Sequence, residues 1–111
     1  MEALELVEIT AELRGASQRL EKAGRELYRL AYEKASTEQK YRHGLHVAIM
    51  ELKGQDERAT LIPDMARGMT KDLKFERDLA DHKFTAGREA VDAIKVQISA
   101  LQTILRYQTE E

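Results

Sequence analysis

The sequence predicts an all-α protein: a long antiparallel helical hairpin with a short helix at its connecting end, dimerising into a four-helix bundle. Three observations predict it. Two long stretches repeat their apolar residues in alternating steps of three and four, the near-3.5 period of a helix seam. The composition is rich in Ala, Glu, Lys, Leu and Arg with a single proline, the balance found in long helices. No segment alternates apolar and polar residues with period two, so no sheet is expected.

The first stretch is read as one helix over about 3–53. Leu6, Ile9, Leu13, Ala16, Leu20, Ala23, Leu27 and Leu30 keep the heptad without a miss. After Ala31 the stripe drifts through Ala35, Tyr41, Leu45, Ala48, Ile49 and Leu52, with Ser36 and Thr37 marking where the helix would bend or briefly break. Glu21–Arg25 and Glu38–Arg42 stand four apart with the acid first, the favourable order on an exposed face. Gly54 is the expected terminator, since glycine accepts the left-handed conformation that closes a helix.

The segment from Gln55 to Met69 has a different texture, too apolar for a free linker and too short for a domain. It predicts a short helix over about 60–67, capped by Thr60, with Pro63 in its first turn and an end at Gly68. The second long helix is expected over about 71–107. Its seam is Leu73, Arg77, Ala80, Phe84, Gly87, Val91, Ile94, Ile98, Leu101 and Leu105, faulted only by Arg77. Thr70 is the candidate N-cap, and Asp72 puts a negative charge in the first turn, where the helix dipole favours it.

Neither stripe can stay in water, so the two seams should face each other across a hairpin. Each glycine inside a helix costs roughly 1 kcal/mol relative to alanine. Small residues on both sides, among them Gly15, Ala16, Gly24, Ala86 and Gly87, are therefore expected to offset that cost through close backbone packing. A hairpin symmetric about Pro63 would set His82 level with His43.

The chain of 111 residues is read as a single helical domain, 1–111. Its 18 basic and 20 acidic residues nearly cancel, so no general attraction to nucleic acid or an anionic membrane is expected. Cysteine is absent, which excludes disulfide and thiol chemistry. The stretch Met1–Thr10 holds three Glu and no Lys or Arg, unlike a signal peptide. No apolar run approaches the ~20 residues of a membrane span. A soluble, cytoplasmic protein is the expectation.

Ala66–Arg67–Gly68, the run Leu73–Lys74–Phe75–Glu76–Arg77–Asp78–Leu79–Ala80, and Gln97 through Arg106 together resemble small helical proteins of unassigned function found in phages and prophages of Gram-positive bacteria. The resemblance covers roughly the second half of the chain. It implies a bacterial host cytosol and an accessory role in phage biology, and it offers no catalytic residues.

Functional candidates are few. His43 and His46 share a helix face, and with His82 and Asp78 or Asp81 they would make a zinc-type donor set. Their positions off the seams favour solvated histidines, and neither a metal nor another cofactor is expected. The carboxylates have no pocket to shift their pKa values, no Ser/His/Asp arrangement is specified, and the glycines are scattered, so no enzyme is expected. Arg67, Lys71 and Lys74 near the tip, and Lys40, Arg42 and His43, would give sequence-blind phosphate contacts, although neighbouring acids dilute both clusters. Leu61, Ile62, Met65 and Met69, with Met50, form either a plug for the hairpin end or a surface for a partner protein. Val7, Tyr28, Tyr32, Val96, Ile104 and Tyr107, together with Ala93, widen the stripes beyond what one partner helix can cover, which points to self-association as a dimer. The leading functional reading is a protein-interaction module, plausible as a phage accessory or inhibitor of host machinery. The alternative is a nucleic-acid-binding accessory protein in phage replication or recombination.

Overall fold

The structure of the chain, a computed structural model, describes residues 3–109. The described residues form three helices, α1 (Ala3–Gly54), α2 (Ile62–Met69) and α3 (Lys71–Thr109). The fold class is therefore all-α. No helix among the described residues is long and apolar enough to cross a membrane.

Helix α1 is continuous through Ser36, without the break considered there. The Thr37 hydroxyl donates to the Glu33 carbonyl oxygen at 2.9 Å, so it is satisfied inside the helix instead of opening it. Past Leu30 the inner positions are Thr37, Tyr41, Gly44, Leu45, Ala48, Ile49 and Leu52, so the expected stripe is kept except at Ala35, which is exposed. Thr37 and Gly44 make the seam polar and small there, which hides them from a search for apolar residues.

Helix α1 ends at Gly54, but glycine is not the left-handed residue there. Asp56 takes that role at φ 58°. The Asp56 N–H donates to the Lys53 carbonyl at 3.2 Å and the Glu57 N–H to the Leu52 carbonyl at 3.3 Å, the paired bonds of a Schellman closure. An aspartate tolerates this conformation better than most residues because its side chain is short and polar.

Helix α2 starts later than expected. Leu61, not Thr60, is its N-cap and makes no side-chain capping bond, while Gly68 lies inside the helix. Thr70 joins α2 to α3 differently from the predicted cap. Its N–H and its hydroxyl both donate back to the Ala66 carbonyl, at 3.1 and 2.8 Å, and its own carbonyl accepts the Lys74 N–H at 3.0 Å. Thr70 thus closes α2 with its side chain and opens α3 with its backbone, and it is buried.

The helices divide into two compact units, Met1–Tyr28 with Thr85–Glu111, and Arg29–Phe84. In the second unit α1 and α3 are antiparallel: Lys34 pairs with Asp81 and Glu38 with Arg77, a register symmetric about Glu57–Arg58. The expected symmetry about Pro63 is wrong, because α2 folds onto α1 instead of straddling the turn. Its Ile62 and Ala66 pack with Ala48 and Leu52 of α1, flanked by Leu45 and Ile49. His82 is consequently not level with His43; the residue packed across that region is Leu73, beside Gly44.

The first unit pairs the early part of α1 with the late part of α3. Ala16 is fully buried and Val91 and Leu101 nearly so, while Leu6, Ile9, Leu13, Leu20 and Leu27 are only half-buried. Arg19 donates to the Gln97 side-chain oxygen at 3.0 Å across the pair.

Close packing explains Gly44 but not Gly24. A Cβ on Gly44 would overlap the Leu73 side chain, whereas one on Gly24 would meet nothing within 4 Å. We expect Gly24→Ala to stabilise the protein by about 1 kcal/mol through helix propensity alone. Gly44→Ala should gain less or destabilise, since Leu73 must move to admit the methyl group. Chemical denaturation of the two variants at equal concentration checks this, and equal stabilisation of both would remove the close approach at Gly44.

Candidate interaction surfaces

In the second unit the α1–α3 seam carries a layer of charge. Arg77 occupies a seam position and is half-buried, with 26 % of its side chain exposed. Two of its nitrogens donate to Asp78 Oδ1 at 3.1 and 3.0 Å, and Nε lies 3.6 Å from Glu38 Oε2 across the pair. Its guanidinium stacks over the Tyr41 ring at 4.3 Å. Lys74 reaches Asp78 at 3.4 Å, Arg42 reaches Glu38 at 2.6 Å, and Lys34 bridges to Asp81 at 3.1 Å while lying over the Phe84 ring. Among the described residues no buried side-chain nitrogen or oxygen lacks a partner.

The layer has a structural consequence. Moving α3 by one turn along α1 would carry Arg77 away from Glu38 and Tyr41, toward Lys34 or Leu45. A polar layer in an apolar seam favours a single register for this reason. The Arg77 bond lowers the pKa of Asp78, with burial opposing and the Lys74 charge assisting, and the same bond raises that of Arg77. A carboxyl held lower in the folded state than in the unfolded chain contributes stability above its unfolded pKa. That contribution is lost as pH falls through the folded value. The stability difference between the parent and Asp78→Asn should therefore be constant from pH 8 to 5 and shrink below about 4. Thermal melts across that range measure it, and a difference that stays constant into acid would contradict the pairing.

The tip residues separate by face. Ile62 and Ala66 are buried, so Ile62 belongs to the core and drops out of any partner surface. Leu61, Met65 and Met69, four apart on the outer side of α2, are exposed, as is Met50 of α1. Arg67 is exposed but pairs with Asp64 at 2.7 Å, and Lys74 is tied to Asp78, while Lys71 is exposed. Phe75 and Leu79, one turn apart on α3, are also exposed and were not singled out from the sequence. Each follows a seam residue, Leu73 or Arg77, by two positions and so lies away from the seam, where the heptad gave no signal.

His43, His46 and His82 are exposed, and among the described residues no group of three His, Cys, Asp or Glu is arranged to hold a metal ion.

The proposed self-association residues are all exposed. In the first unit these are Val7, Tyr28, Val96, Ile104 and Tyr107; Tyr32 belongs to the second. Val96 and Tyr107 do not widen the seam of α3, as the sequence reading had it, but lie on the opposite side of the helix from it. Each follows a seam residue, Ile94 or Leu105, by two positions, which is about 200° around a helix of 3.6 residues per turn. Comparison of the chain with family models, with curated proteins and with solved structures gives no match.

Proposed function

We propose that this chain is a non-enzymatic helical protein-interaction module that acts as a homodimer. The observation that carries the reading is the imbalance in the first unit. Its seam leaves leucines half-buried, while Val7, Tyr28, Val96, Ile104 and Tyr107 stand in solvent. Large apolar side chains collected on one small helix pair are a feature of association surfaces. A four-helix bundle formed by two copies would cover the flanking residues Val7, Tyr28 and Ile104.

The exposed row Leu61, Met65 and Met69 is the surface we assign to a second protein, since methionines adapt their shape to a partner. Following the resemblance to phage helical proteins, we take that protein to be a component of bacterial host machinery. A nucleic-acid role has less support, because Arg42, Arg67 and Lys74 are already paired with carboxylates. Sedimentation equilibrium tests the self-association. The expected mass is twice the 12.7 kDa of one chain at micromolar concentration, and a single-chain mass at every concentration would refute the dimer.

A further inference from the structure

Helix α1 carries the positive charge of a chain that is otherwise acidic. Residues 14–46 hold eight Lys and Arg against four Glu, while the rest of the chain holds ten basic residues against sixteen acids. The excess is present in each compact unit by itself, four basic residues to two Glu over 14–28 and again over 29–46. The net charge of -2 conceals this separation. A basic segment in an acidic chain is the electrostatic footprint of a polyanionic partner.

The cations gather on the outer side of α1. Lys22, Arg25, Arg29, Tyr32, His43 and His46 each stand two residues after an inner position, about 200° around the helix from it, and all six are exposed. No carboxylate occupies this row from Gln18 to His46. Glu33 and Glu38 are half-buried off the row, and Glu38 turns toward Arg77 of α3. Lys22 has no ion pair among the described residues. Arg25 is paired with Glu21 at 2.9 Å and Arg29 with Glu33, but exposed pairs one turn apart are weak, and a phosphate competes for the guanidinium. The tip differs in its balance, because there Asp64, Asp72, Glu76 and Asp78 outnumber Arg67, Lys71 and Lys74.

We infer that this row of α1 binds single-stranded nucleic acid, its cations on the phosphates and the Tyr32 ring against a base. This binding is a second property, independent of the dimer, and uses none of Val7, Tyr28 and Ile104. Tyr32 is 73 % exposed, and an aromatic ring held in water among cations is a stacking platform for bases. A duplex keeps its base faces stacked inside, so the ring favours the single strand. An acidic protein surface or an anionic membrane would be met with apolar anchors as well, and the row holds no aliphatic side chain.

The experiment measures fluorescence anisotropy of a labelled oligothymidylate, and of a duplex of equal length, with the full chain across a range of salt. Single-strand affinity should exceed duplex affinity and fall with salt, with a log–log slope of about -0.7 for each phosphate contacted. Lys22→Glu in the first unit and Arg29→Glu in the second should each weaken binding about tenfold with unchanged helicity. Lys71→Glu makes the same change in net charge away from the row and should bind as the parent does. Tyr32→Ala should weaken the single strand and leave the salt slope as it was. A parent without salt-dependent binding overturns the inference, and so does a loss in Lys71→Glu equal to that in Lys22→Glu. Displacement of the oligonucleotide by polyglutamate at equal charge, with Tyr32→Ala unaltered, also overturns it and assigns the row to an acidic protein.

Discussion

Leu52→Ala is expected to lower stability by about 2–4 kcal/mol, the cost of removing a buried leucine side chain and leaving part of its volume empty. Leu52 is 3 % exposed, and it is the largest α1 side chain in the cluster with Ala48, Ile62 and Ala66. Its other partners there are small or are supplied by an eight-residue helix, so little material can collapse into the space. An isolated helix that short is unstable in water, and α2 holds its shape through this packing. The substitution should therefore loosen α2 as well as lower the denaturation midpoint. Amide exchange at Ala66 and Thr70 should accelerate more than exchange near Ala16. The control is Met65→Ala on the outer side of α2, which should change stability by less than about 1 kcal/mol. Equal losses for the two variants would mean that Ile62 and Ala66 do not define the inner face of α2.

The two seams were legible because burial follows helical period whatever the partner. Leu6 through Leu30 and Leu73 through Leu105 keep the positions read from spacing alone, including Arg77, which sits in the seam despite its charge. Thr37 and Gly44 were missed because spacing was sought only among apolar residues. Thr37 and Gly44 hold inner positions there for reasons of size and hydrogen bonding, which depend on Leu73 and Glu33 and are not written in their own hydropathy. The register about Glu57–Arg58 was out of reach for a similar cause. It depends on where α2 rests and on which charges meet across the pair, both of them tertiary facts.

Local signals at the chain reversals failed through competition between acceptable choices. Gly54 was a fair candidate for the left-handed position, yet the Schellman bonds put it at Asp56. Thr70 has a hydroxyl suited to capping α3, and it bonds instead to the Ala66 carbonyl, one turn back, which also accepts the Thr70 N–H. Among the surface candidates, a single residue decides the tip. Ile62 and Met65 look alike in the sequence, and one turn of α2 puts the first in the core and the second in solvent. On α3, Ala93, Val96, Ile104 and Tyr107 were noticed as a widening of the seam. Ala93, Val96 and Tyr107 each follow a seam member by two residues and lie away from it, while Ile104, next to Leu105, flanks it.

The substitution with the most to reveal about the first unit is Ala16→Asp. Ala16 has no exposed surface, and its methyl group sits where α1 and α3 pack in this unit. A carboxylate there has neither room nor a cation placed to meet it from within the seam, since the flanking seam residues are Leu13 and Leu20. Burying an unpaired charge costs several kcal/mol, and making space for a larger side chain adds to that. The total is a large share of the roughly 5–15 kcal/mol that holds a typical domain together. We expect about 3–5 kcal/mol of lost stability, seen as a fall in helical circular dichroism at 222 nm and a lower melting temperature. Gln18→Asp, two residues away on the exposed side of α1, introduces the same charge in water and should stay within about 0.5 kcal/mol of the parent. Comparing aspartate with aspartate removes helix propensity and net charge as explanations. If the two variants melt together, Ala16 is not buried against α3. If only Ala16→Asp is lost, the packing of the small residue is what joins the helices of this unit.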